Sequence, residues 1–319
     1  MGVDRPEPAS QPGVPAELLV VWLLFAVVGL EIFATYWRLP ARELYHVSGS
    51  GPAGGAGRAL VFLNYPTALV AIAVLVLLAD RLASRLATAA AAVGVGLCAV
   101  LFWPGAVDQA DLDAKYVNAL AGVGVLVAVT LTLVAGRRLG APARPERQRG
   151  DRARIGIAAA ALVLALPWLA ADLGLSFNGV PVLGTLWQSG EPRTQPGVPG
   201  VHPAVHHGHH HGMDGVLLVL SALLLSRLLP AVGRRTRAAV GAYLALMLAY
   251  GIGQIANDFW TEQVVKRGWT SWQIPDVTRP QASAAWGVIV LGAALVYAVA
   301  ARRPHGPDPA AAAPLGSGP

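Results

Sequence analysis

Six of the eight histidines in this 319-residue chain fall within ten positions, in the segment Val201-His202-Pro203-Ala204-Val205-His206-His207-Gly208-His209-His210-His211-Gly212-Met213-Asp214. His202, His206, His210 and Asp214 recur at every fourth position, and His207 with His211 repeats the same step. On a helix, residues four apart stand about 5–6 Å from each other at Cβ, close enough for two imidazoles to share one ion. Pro203 suits the first turn of such a helix, where its missing N–H is not needed. The step drifts by about 40° each time, so a straight helix cannot turn all four stripe residues onto one ion. Two adjacent members plus a ligand from elsewhere are the expected set, and His46 and Glu31 are candidates for the missing one.

Imidazole suits zinc, copper, iron and nickel, and the Met213 thioether tilts the set toward copper. Copper or zinc is therefore the expected cofactor, with iron or nickel next. Two readings without a bound metal compete: a solvated histidine-rich loop, and a proton-handling segment.

Candidate catalytic groups are acidic side chains at the same depth: Glu31, Asp258 and Glu262, which could move protons beside a metal ion. The last two belong to a stretch, 257–275, dense in tryptophan, where an interfacial aromatic belt is the plainer explanation. The spacings His-x-x-x-His-His (His202, His206, His207) and His-x-x-His-His (His206, His209, His210) are similar to those of membrane desaturases, but that family distributes its boxes over several cytoplasmic loops. There is no Gly-x-Ser-x-Gly, His-Glu-x-x-His, Walker loop or Cys-x-x-Cys-His.

These residues need a scaffold, and composition says which kind. The chain is 13% charged and 55% hydrophobic, with a mean hydropathy of +0.52, against about 25% charged residues in soluble domains. A soluble globular domain, a disordered chain and a disulfide scaffold are excluded, the last by a single cysteine, Cys98. The expected fold class is all-α: a polytopic integral membrane protein of about eight transmembrane helices. Runs near the roughly 20 residues needed to cross a hydrocarbon core lie near 18–37, 59–80, 86–103, 117–136, 155–175, 213–232, 238–258 and 281–300.

The organisation that follows is a cytoplasmic tail over 1–17, one membrane domain over 18–303 with a histidine-rich extracytoplasmic loop at 176–212, and a disordered tail over 304–319. The first run has neither the basic leader nor the cleavage site of a signal peptide, so it is expected to be retained.

The net charge of +6 does not imply a nucleic-acid partner, because the basic residues sit in short loops between apolar runs. Sixteen of the 24 fall on the side of the termini and eight on the side of the histidines, which makes the termini cytoplasmic by the positive-inside rule. Polar residues within the spans crowd toward the outer side: Glu31, Asn64, Asn118, Asp172, Asp214, Gln254, Asn257 and Asp258. The inner halves read as nearly bare, which argues against a conduction path.

The expected function is a metal-dependent enzyme of the cell membrane, an oxidoreductase or hydrolase, acting from the outer face on a lipid-like or apolar substrate. Its partners are the bilayer and that substrate. The competing expectations are a copper or nickel binding or transport protein, and a membrane assembly subunit with an incidental histidine loop.

Overall fold

The computed structural model describes residues 13–38, 51–103, 105–106, 114–140, 147–172, 181, 192–195, 198–203, 210–265, 269–278 and 280–302. The body is helical: α1 (Ala16–Arg38), α2 (Gly51–Leu82), α3 (Arg85–Ala99), α4 (Tyr116–Leu139), α5 (Asp151–Asp172), α6 (His210–Ser226), α7 (Arg234–Trp260) and α8 (Ala284–Ala301). Six of these, α1, α2, α3 together with the 3-10 turn that extends it to Phe102, α4, α7 and α8, are long and apolar enough to cross a membrane. The helix α6 is shorter and equally apolar. Each apolar run read from the sequence overlaps one of these helices, and six of the eight expected spans meet a helix of sufficient length and apolarity.

Small residues set the helix packing, as expected where lipid removes the hydrophobic drive between helices. A Cβ on Gly55 of α2 would lie 2.6 Å from the Phe33 carbonyl oxygen of α1, and one on Gly29 of α1 would lie 3.2 Å from Leu63. These two contacts fix α1 and α2 as antiparallel neighbours. A Cβ on Gly124 of α4 would meet Cys98 Sγ at 2.6 Å and the Gly94 carbonyl of α3 at 2.8 Å. The closest crossing joins α6 and α7: a Cβ on Gly215 would stand 2.6 Å from the Gly251 carbonyl oxygen, and one on Gly251 would stand 2.7 Å from that of Gly215. Leu23, Leu86, Leu126 and Leu291 are mostly exposed on the outer surface of the bundle, where a bilayer would solvate them.

At one end of the bundle the helix termini are tied by charge. Arg227, just past α6, donates from Nε to Glu17 of α1 at 2.8 Å and from Nη1 to Asp151 at the start of α5. Gln148 Nε2 donates to the Arg227 carbonyl at 2.9 Å, and Arg154 Nε to the Ser226 hydroxyl at 3.0 Å. Asp80 of α2 caps α7, accepting from the Gly233 amide at 3.1 Å and the Thr236 hydroxyl at 2.6 Å. Such a carboxylate satisfies a free N–H and complements the helix dipole.

Two expectations change. The helix α2 runs over 32 residues, starting well before the expected 59–80, so Arg58 is buried inside it with no solvent exposure. At about 1.5 Å per residue that helix exceeds the hydrocarbon thickness of about 30 Å. The segment 176–212 holds an antiparallel ribbon, β1 (Pro192–Gln195) with β2 (Val198–Pro203), which pairs His202 with Arg193. His202 is therefore on a strand and α6 begins only at His210, so no continuous helical stripe joins His202 to Asp214. The valines Val198 and Val201 favour an extended chain, and Pro203 stands at its end rather than opening a helix.

Candidate functional site

The α6–α7 crossing brings together two of the carboxylates singled out by sequence. Asp214 lies in the second turn of α6, directly before Gly215, and Asp258 lies near the end of α7. Both are buried, at 7% and 8% exposure, and their charges act on one another. Two carboxylates in a low-dielectric setting repel strongly unless a proton or a cation lies between them.

Gln254 sits one turn below Asp258 on α7 and is 1% exposed. A Cβ on Gly215 would lie 3.0 Å from the Gln254 Cβ, which places that side chain against the backbone next to Asp214. The Gln254 Oε1 is buried and has no partner among the described residues. Tyr250 donates to the Thr278 carbonyl at 2.7 Å, packs on Trp286 with ring centroids 5.0 Å apart, and lies near Tyr65 of α2. Tyr65 in turn rests edge-on against Phe102 at 4.9 Å. Deeper in the same seam, Tyr243 donates to the Leu69 carbonyl at 2.8 Å. Polar contacts thus run along α2 and α7 from Asp80 and Thr236 at one end to Asp258 at the other, and the halves of the helices that read as bare carry tyrosine hydroxyls.

The remaining candidates are placed as follows. Glu31 belongs to the α1–α2 interface, at the level of the buried Arg58, which stacks 5.6 Å from the Phe62 ring centre. Glu262 follows α7 in a wide turn, Thr261–Val265, and its side chain lies outside the described residues. His210 and His211 open α6, one turn before Asp214, with their side chains also outside the description. His46, His206 and His207 lie outside the described residues altogether. Among the described residues no group of three histidine, cysteine, aspartate or glutamate side chains is placed to hold a metal ion.

Sequence reading missed Tyr65, Tyr243, Tyr250 and Arg58, and did not assign a role to Gln254. A signal was present: Thr236, Tyr243 and Tyr250 are spaced by seven, and Tyr250, Gln254 and Asp258 by four, so one face of α7 carries hydrogen-bonding groups from end to end. No protein family, characterised protein or solved structure matches this chain.

Proposed function

We propose that this is a metal-dependent enzyme of the cell membrane, with eight spans, cytoplasmic termini and a reaction centre at the outer face that takes a lipid-like or apolar substrate. The observation that carries the reading is the buried Asp214–Asp258 pair at the end of the bundle where the histidine-rich segment enters α6. The proposed metal set is His210 and His211 with Asp214, and His202, His206, His207 and His46 are the candidates for the remaining ligands. Copper or zinc is the proposed ion. An ion held there would supply polarisation of a substrate oxygen or activation of water, and Asp258, Glu31 or Glu262 would accept or return the proton.

Metal analysis of detergent-purified protein tests this. The wild type is expected to retain about one tightly held ion per chain, and a His206→Ala, His210→Ala double variant to retain none. A wild-type preparation without transition metal would overturn the reading.

A metal carrier of the copper or nickel class is the second reading, supported by the polar seam along α2 and α7. It predicts ion uptake by proteoliposomes, which the enzyme does not.

The orientation rests on the arginine distribution and on the arginine-rich cluster around Arg227. A reporter that is active only in the cytoplasm is expected to be active when fused after Pro319. An inactive fusion at full expression would place the termini outside.

A further inference from the structure

We infer that Asp214, Asp258 and Gln254 form an oxygen-donor site for a divalent cation within the α6–α7 crossing. The inference deepens the metal reading above, on which it rests, by making carboxylate and carboxamide oxygens the primary ligands and by turning Asp258 from a proton carrier into a ligand.

Three observations converge. Asp214 is buried, and no described residue gives it a hydrogen bond or an ion pair. A carboxylate placed so at the edge of a membrane is costly unless a ligand compensates it. Independently, Gln254 is 1% exposed and its Oε1 has no partner among the described residues. A buried amide oxygen of that kind is an acceptor waiting for a donor or a cation.

The backbone geometry supplies the third point. The mutual approach of Gly215 and Gly251, with the Gln254 Cβ 3.0 Å from a Cβ on Gly215, sets Asp214 and Gln254 on facing turns, one turn of α7 from Asp258. Small residues at this crossing therefore have a second role beyond packing.

The donor chemistry selects the ion. Carboxylate and carboxamide oxygens suit hard to borderline divalent cations such as manganese and zinc, and they disfavour copper(I), which seeks sulfur. Position adds access: Asp214 is one turn from the start of α6, so an ion reaches it from the aqueous side without crossing the apolar floor of the bundle.

The test uses the full chain in detergent, stripped with chelator and titrated with manganese or zinc alone. Manganese binding is followed by electron paramagnetic resonance and zinc by competition with a chromophoric chelator. Asp214→Asn and Asp258→Asn are each expected to weaken binding by more than about 100-fold, beyond the 10–100-fold cost of losing an outer partner. Gln254→Leu is expected to weaken it by about tenfold. In chelator, Asp214→Asn is expected to melt no lower than wild type, which separates lost binding from lost fold.

A fourth variant, with alanine at His202, His206, His207, His209, His210 and His211, separates the two claims. If it still binds the ion while Asp214→Asn does not, the oxygen site stands and the histidine set falls. If it loses the ion while both aspartate variants bind like wild type, the metal reading stands and this inference is overturned. If wild type binds neither ion, both fall.

Discussion

Gly215→Leu, and equally Gly251→Leu, is expected to cost the protein most of its folded population in detergent. A Cβ at either position would sit 2.6–2.7 Å from a backbone carbonyl of the opposing helix, below any distance that real contacts tolerate. The neighbour is backbone, so no side chain can rotate away, and α6 and α7 have to separate. Overpacking of a tight interior costs about 1–3 kcal/mol where side chains can adjust, and here the upper end is expected. Alanine at the same positions carries the same Cβ and is expected to lower the midpoint as well. Gly287→Ala is the control: nothing lies within 4 Å of that Cβ, and replacing a helical glycine should gain up to about 1 kcal/mol. Thermal unfolding followed by size-exclusion recovery reads all of them, and a Gly215→Leu protein as stable as Gly287→Ala would refute the crossing.

Arg227→Ala is expected to be the most damaging single change at the opposite end. The Arg227 guanidinium is 14% exposed and stands between two carboxylates, Glu17 and Asp151, from α1 and α5. Its removal leaves two acidic groups partly buried and facing each other, a situation that costs about 3–5 kcal/mol when a buried pair is broken. Residual access to water places the expected loss near the lower bound. Lysine at 227 cannot serve both carboxylates with one ammonium group and is expected to recover part of the stability.

The pH dependence adds a signature that a packing defect lacks. Hydrogen bonding from Arg227, followed by the Gln148 amide and the Arg154 side chain, holds the Asp151 carboxyl down to about 2. In the unfolded chain an aspartate titrates near 3.9. A carboxyl depressed on folding contributes stability that is fully present above the unfolded value and is lost as pH falls through the folded one. The wild-type midpoint should therefore decline between about pH 4 and pH 2. In Arg227→Ala this acid-dependent loss should shrink, because the main cause of the depression is gone. Parallel acid profiles for the two proteins would show that the Asp151 contact carries no weight.

Much of the fold was legible because apolar run length is a strong signal: eight runs were marked, and a helix lies at each. What escaped follows from how residue types are weighed. The expected span at 59–80 leaves Arg58 outside, and the preceding Gly51-Pro52-Ala53-Gly54-Gly55-Ala56-Gly57 is a poor helix former in isolation. Those glycines instead let α1 approach, as the Phe33 contact of Gly55 shows, and tertiary packing overrides the propensity. The Tyr243 and Tyr250 hydroxyls donate to carbonyls at Leu69 and Thr278, and such long-range bonds leave no mark in a one-dimensional pattern. The four-residue histidine step suggested a helix over 202–214, yet cross-strand pairing with 192–195 is a long-range choice that spacing within the segment does not register. For the candidate site, Asp214 and Asp258 were each noticed for depth, but their meeting depends on glycines at 215 and 251 that a motif search treats as background.

The contact between Glu17 and Arg227 spans 210 positions of chain. At a synthesis rate of about 5–20 residues per second, the first helix waits roughly 10–40 s for its partner to be made. During that interval Glu17 is held at the membrane surface by water and headgroups, and α1 has to remain beside the growing bundle without its final ionic tie. The Arg227 clasp is thus a late lock: it closes only after α5 has supplied Asp151 and α6 has been made, so a chain truncated before position 227 packs its early helices through their glycine contacts but lacks the ionic tie at this end.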